Sequence, residues 1–154
     1  MDSDVTTLLK LFRAIQDKTE CKPFFTELDE VLQQYNGDDW RPLVWSTPQT
    51  LVKERVYYSH NLEVMLLSWP AGYTTQLHDH AANGCWLKVL SGQLTETRYN
   101  EEFQQQEVTL LPQDSISFMS NSQGYHTISN ESGQTTWSLH IYSPPFHKTR
   151  YFEL

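Results

Sequence analysis

Two spacings of apolar residues divide the chain. Over residues 4–17, Val5, Leu8, Leu9, Phe12 and Ile15 fall on one helical stripe, with Asp4 placed to cap it. A second helical stretch covers residues 23–35, carrying Phe24, Leu28, Val31 and Leu32, and Asn36-Gly37 reads as its C-terminal stop. A short helix or turn near residues 38–43 follows. From about residue 50 the period falls to two. Residues 51–59 and 62–69 read as a hairpin turning at His60-Asn61, and Pro70-Ala71-Gly72 breaks the chain before a strand over residues 74–80. Residues 85–90 and 94–99 read as a further hairpin about Gly92, and later strands fall at 106–111, 115–119, 126–130 and 135–142. Eight or more short strands at this spacing predict a mainly β barrel or jelly roll. The expectation is one domain, residues 1–154, with a helical segment (1–45) packed outside a barrel (50–147).

Composition narrows the picture. Aromatic residues make up 13% of the 154, with five Trp and eight Tyr, which suits a β-rich interior. A net charge of −8 argues against nucleic acid or an anionic membrane surface as partner. No apolar run approaches a membrane span, and the N-terminus lacks a basic region followed by an apolar stretch, so a cytoplasmic monomer is expected. Cys21 and Cys85 are too few for a disulfide scaffold, and Cys21 reads as a reduced, structurally neutral thiol.

The candidate chemistry sits in Gly72-x5-His78-Asp79-His80-x4-Cys85-x6-Gly92. Residues two apart on a strand share a face, so His78 and His80 project together, as two ligands of one metal ion must. His126, in Gly124-Tyr125-His126-x3-Asn130, supplies a third imidazole. Imidazole nitrogen suits Fe, Zn, Cu and Ni alike, so the ligand type names no metal. Ser138, His140 and Tyr142 alternate along one strand and face one side. Lys53 and Arg55, two apart before the first turn, also share a face. Asp79 reads as a structural hydrogen-bond acceptor, His60 as a turn residue, His147 as a surface residue, and Cys85 by itself as a small buried apolar residue.

The spacing around His78 and His80 resembles the first signature of the cupin superfamily, with Cys85 where many cupins carry a glutamate ligand. With Ser138-Leu139-His140-Ile141-Tyr142-Ser143-Pro144-Pro145-Phe146 added, residues 50–147 are similar to the cysteine dioxygenase family. That resemblance implies Fe(II) on His78, His80 and His126, with a small thiol and O2 on the remaining positions and a sulfinic acid as product. It implies a Ser138–His140–Tyr142 relay with Tyr142 as catalytic phenol and substrate contact, a Cys85–Tyr142 thioether, and a cis Ser143-Pro144 bond. The family's carboxylate-binding arginine falls in an ambiguous register here. Arg55 is preferred, because its planar fork matches a carboxylate, and Lys53 is the alternative.

Free L-cysteine is the substrate this resemblance favours, with 3-mercaptopropionate or another small thiol as the near alternative. A non-catalytic metal- or ligand-binding cupin is the alternative of another class. An oxygenase of larger substrates is a third, against which Trp86 and Tyr125 beside the motifs suggest a small pocket.

Overall fold

A computed structural model describes residues 5–19, 27–120 and 123–154. Asp4, Cys21 and Phe24 lie outside these. Two helices, α1 (Leu8–Thr19) and α2 (Glu27–Gln34), precede a 3-10 turn at Arg41–Leu43. α1 begins later than its apolar stripe suggested, because Thr7 Oγ1 accepts the Lys10 amide and Asp39 Oδ2 accepts the Leu8 amide. Its buried face is accordingly Leu8, Leu11 and Ile15, and Leu9 points to solvent. Gly37 does not adopt the left-handed conformation expected of a C-terminal stop. It is small because a Cβ there would overlap the Thr6 carbonyl where the two helical segments meet.

Among the described residues ten strands form two five-stranded antiparallel sheets: β1 (Val52–Tyr58), β2 (Glu63–Trp69), β3 (Leu77–His78), β4 (Gly84–Ser91), β5 (Leu94–Tyr99), β6 (Gln105–Leu111), β7 (Ile116–Met119), β8 (Tyr125–Ser129), β9 (Thr136–Ser143) and β10 (Tyr151–Phe152). The first sheet runs β1-β2-β9-β4-β7 and the second β10-β3-β8-β5-β6. The jelly-roll expectation holds, and the β1–β2 hairpin turns where the sequence placed it. The second expected hairpin does not form. β4 pairs with β7 and β9, β5 pairs with β6 and β8, and the chain crosses between sheets at Gly92, whose φ of +96° and contact with Thr136 leave no room for a Cβ.

The first sheet is covered on both faces, which is why β4 reads as a nearly unbroken buried run. Trp86, Leu90, Leu139 and Ile141 pack toward the helices. Leu67, Leu87 and Val89 pack toward the second sheet, with Leu94, Leu111 and Ile128. By strand alternation Cys85, His140 and Tyr142 fall on that inner side, facing the strands that carry His78 and His126. The Ser143-Pro144 bond is cis.

Candidate metal centre

His78 and His126 are directly paired across β3 and β8, and their Nε2 atoms lie 2.9 Å apart. His80 lies past the end of β3, which is only two residues long, so strand alternation is not what brings it in. The His80 ring centroid nevertheless lies 4.2 Å from that of His126. One ligand atom from each of the three histidines lies within 4.8 Å of the others.

Hydrogen bonding fixes the tautomers. His78 Nδ1 is 2.8 Å from the Gln76 carbonyl oxygen, which only accepts, so Nδ1 carries the proton. His126 Nδ1 donates to Glu96 Oε2 at 2.7 Å. Burial would raise the Glu96 acid, but the His126 hydrogen bond and the charges of His126 and Arg98, with the Ser117 hydroxyl, bring it down to about 2. Both Nε2 atoms therefore point at the same small volume, close enough for one proton or one metal ion to join them. Burial and the neighbouring His126 lower His78 to about 3 and push His80 down as well, so these two imidazoles are neutral near pH 7. Nitrogen donors backed by a carbonyl and a carboxylate suit a divalent transition metal.

The three rings open on a cavity of about 510 Å³ between the sheets. Its opposite wall carries Cys85, His140 and Tyr142. Cys85 and Tyr142 are paired across β4 and β9. Burial pushes both the Cys85 thiol and the Tyr142 phenol up, so both are protonated.

Ser138, His140 and Tyr142 form a hydrogen-bonded chain anchored by Trp69. The indole N–H of Trp69 donates to Ser138 Oγ at 2.8 Å. Ser138 Oγ lies 2.7 Å from His140 Nε2, and His140 Nδ1 lies 3.3 Å from Tyr142 Oη. Burial holds His140 neutral, so one ring nitrogen donates and the other accepts, and the chain can run in either direction.

Lys53 and Arg55 part company. Lys53 lines the cavity, its charge is felt at Cys85, His78 and His140, and desolvation lowers its pKa. Arg55, preferred from sequence, lies outside it. Its Nε donates to Glu63 Oε2 at 2.8 Å and its guanidinium stacks over Phe146 at 4.6 Å. The register is the reason: Lys53 sits opposite the inward Leu67, whereas Arg55 is one pleat nearer the turn, opposite Met65.

Other expectations sort similarly. Asp79 is a buried structural acceptor, as expected, but one of its partners is His147, which is not simply a surface residue. Trp86 packs under the helices and Tyr125 against Phe103 and Phe152, so neither narrows the cavity. Glu96 and Trp69 were missed as site residues. The available signal was Glu96 on the inward face of β5 beside Leu94, an acid where alternation calls for an apolar residue; Trp69 gave no comparable cue.

The two-sheet sandwich with a histidine cluster between its layers has the cupin fold. A cupin superfamily protein from Desulfitobacterium hafniense superposes with a TM-score of 0.56 at 13% identity, covering 66% of this chain and 84% of that one. The chain belongs to the family Cysteine dioxygenase type I, whose model matches residues 4–154, including the helical segment that the sequence motifs left unassigned. It is similar to cysteine dioxygenase type 1 of Rattus norvegicus (31% identity, 82% of this chain, 68% of that protein) and of Danio rerio (27%, 97% and 77%).

Proposed function

We propose that the chain is a non-heme Fe(II) thiol dioxygenase that converts free L-cysteine and O2 to cysteine sulfinic acid. The observation that carries this reading is the convergence of His78 Nε2 and His126 Nε2, 2.9 Å apart, with His80 beside them in a cluster that is all histidine among the described residues. His78, His80 and His126 would hold the ion and leave positions for exogenous ligands. When bound, ferrous iron supplies the acidity that deprotonates a thiol and the electrons that activate dioxygen.

The chain's own residues supply the rest. The Lys53 ammonium pairs with the substrate carboxylate, an assignment that replaces Arg55 because Glu63 and Phe146 already engage that guanidinium. Leu67, Leu87 and Ile128 exclude water from the cavity floor, which strengthens every polar contact above them. Tyr142 presents its phenolic proton to the cavity, and Ser138 and His140 orient it. Tyr142 and Cys85 are also the pair that would form a thioether. The protein is taken to work as a monomer in the cytoplasm; no described helix is long and apolar enough to cross a membrane.

Oxygen uptake by the iron-loaded protein against a thiol panel tests the reading. Cysteine should be consumed with matching oxygen and sulfinic acid stoichiometry. Equal or faster turnover of 3-mercaptopropionate would overturn the substrate, since both molecules offer a thiol and a carboxylate to Lys53. Stoichiometric zinc in the isolated protein, with no thiol-dependent uptake after iron loading, would overturn the activity and favour a binding cupin.

A further inference from the structure

The segment from Phe146 to Phe152 takes no part in the chemistry above, yet two buried carboxylates pin it. Near its start the Phe146 amide donates to Glu63 Oε1 at 2.9 Å. Further on, Asp79 Oδ1 accepts from the Arg150 amide at 2.8 Å and from His147 Nε2 at 3.0 Å, and Oδ2 accepts from Arg150 Nε at 2.8 Å. The Asp79 amide donates in turn to the Arg150 carbonyl at 3.1 Å. Tyr151 and Phe152 then pair with His78 and Leu77 as β10. A two-residue ladder holds little by itself. Asp79, only 3% exposed, is what fastens this strap to the segment between His78 and His80.

Tyr151 occupies an unusual place on the strap. It lines the cavity, with its ring centroid 6.0 Å from that of His78, and yet it is 52% exposed. A side chain with one side on the cavity and the other in solvent is a wall one residue thick. Removing the Tyr151 ring would open the cavity on its solvent side and let a longer molecule pass outward while its thiol stayed among the histidines.

We propose that Tyr151, held over His78 by the Asp79 clamp, is the size filter of the site, restricting it to small thiols and rejecting those extended at the amine or carboxyl end. Tyr151 is the specificity-determining residue, and Asp79 and Arg150 are positioning residues that act through it. The inference rests on the thiol-oxidising reading for its substrate class, so its test needs a readout free of turnover.

The test compares cysteine with N-acetylcysteine and cysteinylglycine, by kcat/KM in the iron protein and by thiolate-to-metal charge-transfer absorption in the cobalt(II)-loaded protein. Tyr151→Ala should raise the affinity and kcat/KM of at least one extended thiol relative to cysteine by roughly tenfold. Tyr151→Phe, which keeps the ring, should retain the wild-type ratio. Asp79→Ala, or Arg150→Ala if that variant does not fold, should speed amide hydrogen exchange in residues 147–152 and shift the ratio the same way. A ratio between two thiols is insensitive to incomplete metal loading. An unchanged ratio in Tyr151→Ala overturns the filter, and faster strap exchange with an unchanged ratio overturns the clamp's part in it. Absence of oxygen uptake in the wild type sinks the dioxygenase reading alone, because the cobalt titration still decides the wall.

Discussion

Glu96 Oε2 stands 2.7 Å from His126 Nδ1, reaching diagonally from β5 to β8, where Arg98 rather than Glu96 lies directly opposite the histidine. The carboxylate selects the tautomer that leaves Nε2 bare, and Ser117 and Arg98 hold it in place at 2.8 and 3.2 Å. Replacing such a partner of a metal-ligating histidine typically costs 10–100-fold in metal affinity. Glu96→Gln should weaken binding by roughly that factor, read by chelator competition, with the far-ultraviolet circular dichroism unchanged. Because Glu96 titrates lower in the fold than in the unfolded chain, its contribution to stability is complete above about pH 4.3 and is lost as pH falls toward 2. The stability gap between wild type and Glu96→Gln should narrow over that window.

Trp69 anchors the Ser138–His140–Tyr142 chain at its buried end. Trp69→Phe keeps an aromatic ring against Tyr73 and His140 but removes the indole donor that holds Ser138 Oγ in place. On the proposed reading, kcat for cysteine should fall about tenfold with KM little changed, short of the 10²–10⁴-fold expected for losing the proton donor itself. In a Ser138→Ala background the same change should add nothing, since the two act as one unit.

Much of this site is legible in the sequence because the motifs belong to strands whose alternation is strict. Alternation puts Ser138, His140 and Tyr142 on one face, the motif resemblance joins them to His78 and His126, and register then sets His78 opposite His126 and Cys85 opposite Tyr142. What period does not encode is which strands become neighbours. The β4–β5 hairpin was expected from proximity in sequence, and the Gly92 corner instead sends the two strands to different sheets. Period also leaves the two cations unresolved. Lys53 and Arg55 share a face, so only their distance from the turn, together with the acid at Glu63, tells which reaches the cavity.

Lys53 is expected to act on binding rather than on chemistry. Lys53→Ala should raise KM for cysteine, with a loss in kcat/KM of roughly 10–100-fold, the range of a hydrogen bond to a charged group. Oxidation or binding of cysteamine, which has no carboxylate, should be nearly unaffected. Arg55→Ala should change cysteine kinetics far less than Lys53→Ala. The reverse order would return the carboxylate to Arg55.

A thioether between Cys85 and Tyr142 should appear as a mass loss of about two hydrogens and as a doublet on a denaturing gel, growing with turnover in the presence of iron, oxygen and thiol. The two residues already face one another across β4 and β9. Cys85→Ala should give a single band, and a doublet persisting in that variant would exclude this bond as its source.

Lys88 ties the helical segment to the barrel. It lies on β4 with 1% of its surface exposed, on the face turned away from the metal site, and its Nζ donates to the carbonyls of Leu32 and Tyr35 at 2.6 Å each. Those carbonyls lie in and just past the last turn of α2, where the Leu32 carbonyl also accepts the Tyr35 amide at 3.3 Å. Lys88→Met preserves the length and apolar body of the side chain but removes the donors, leaving buried carbonyls without this partner at about 1–3 kcal/mol in urea unfolding. Metal affinity should not change. Desolvation lowers the Lys88 ammonium below its ordinary range despite the two carbonyls. A base that is weaker in the fold than in the unfolded chain favours unfolding wherever only the unfolded chain holds the proton. Wild-type stability relative to Lys88→Met should therefore rise with pH between the lowered value and about 10.4. A difference that instead shrank over that window would mean that the two carbonyls outweigh burial and hold the ammonium charged.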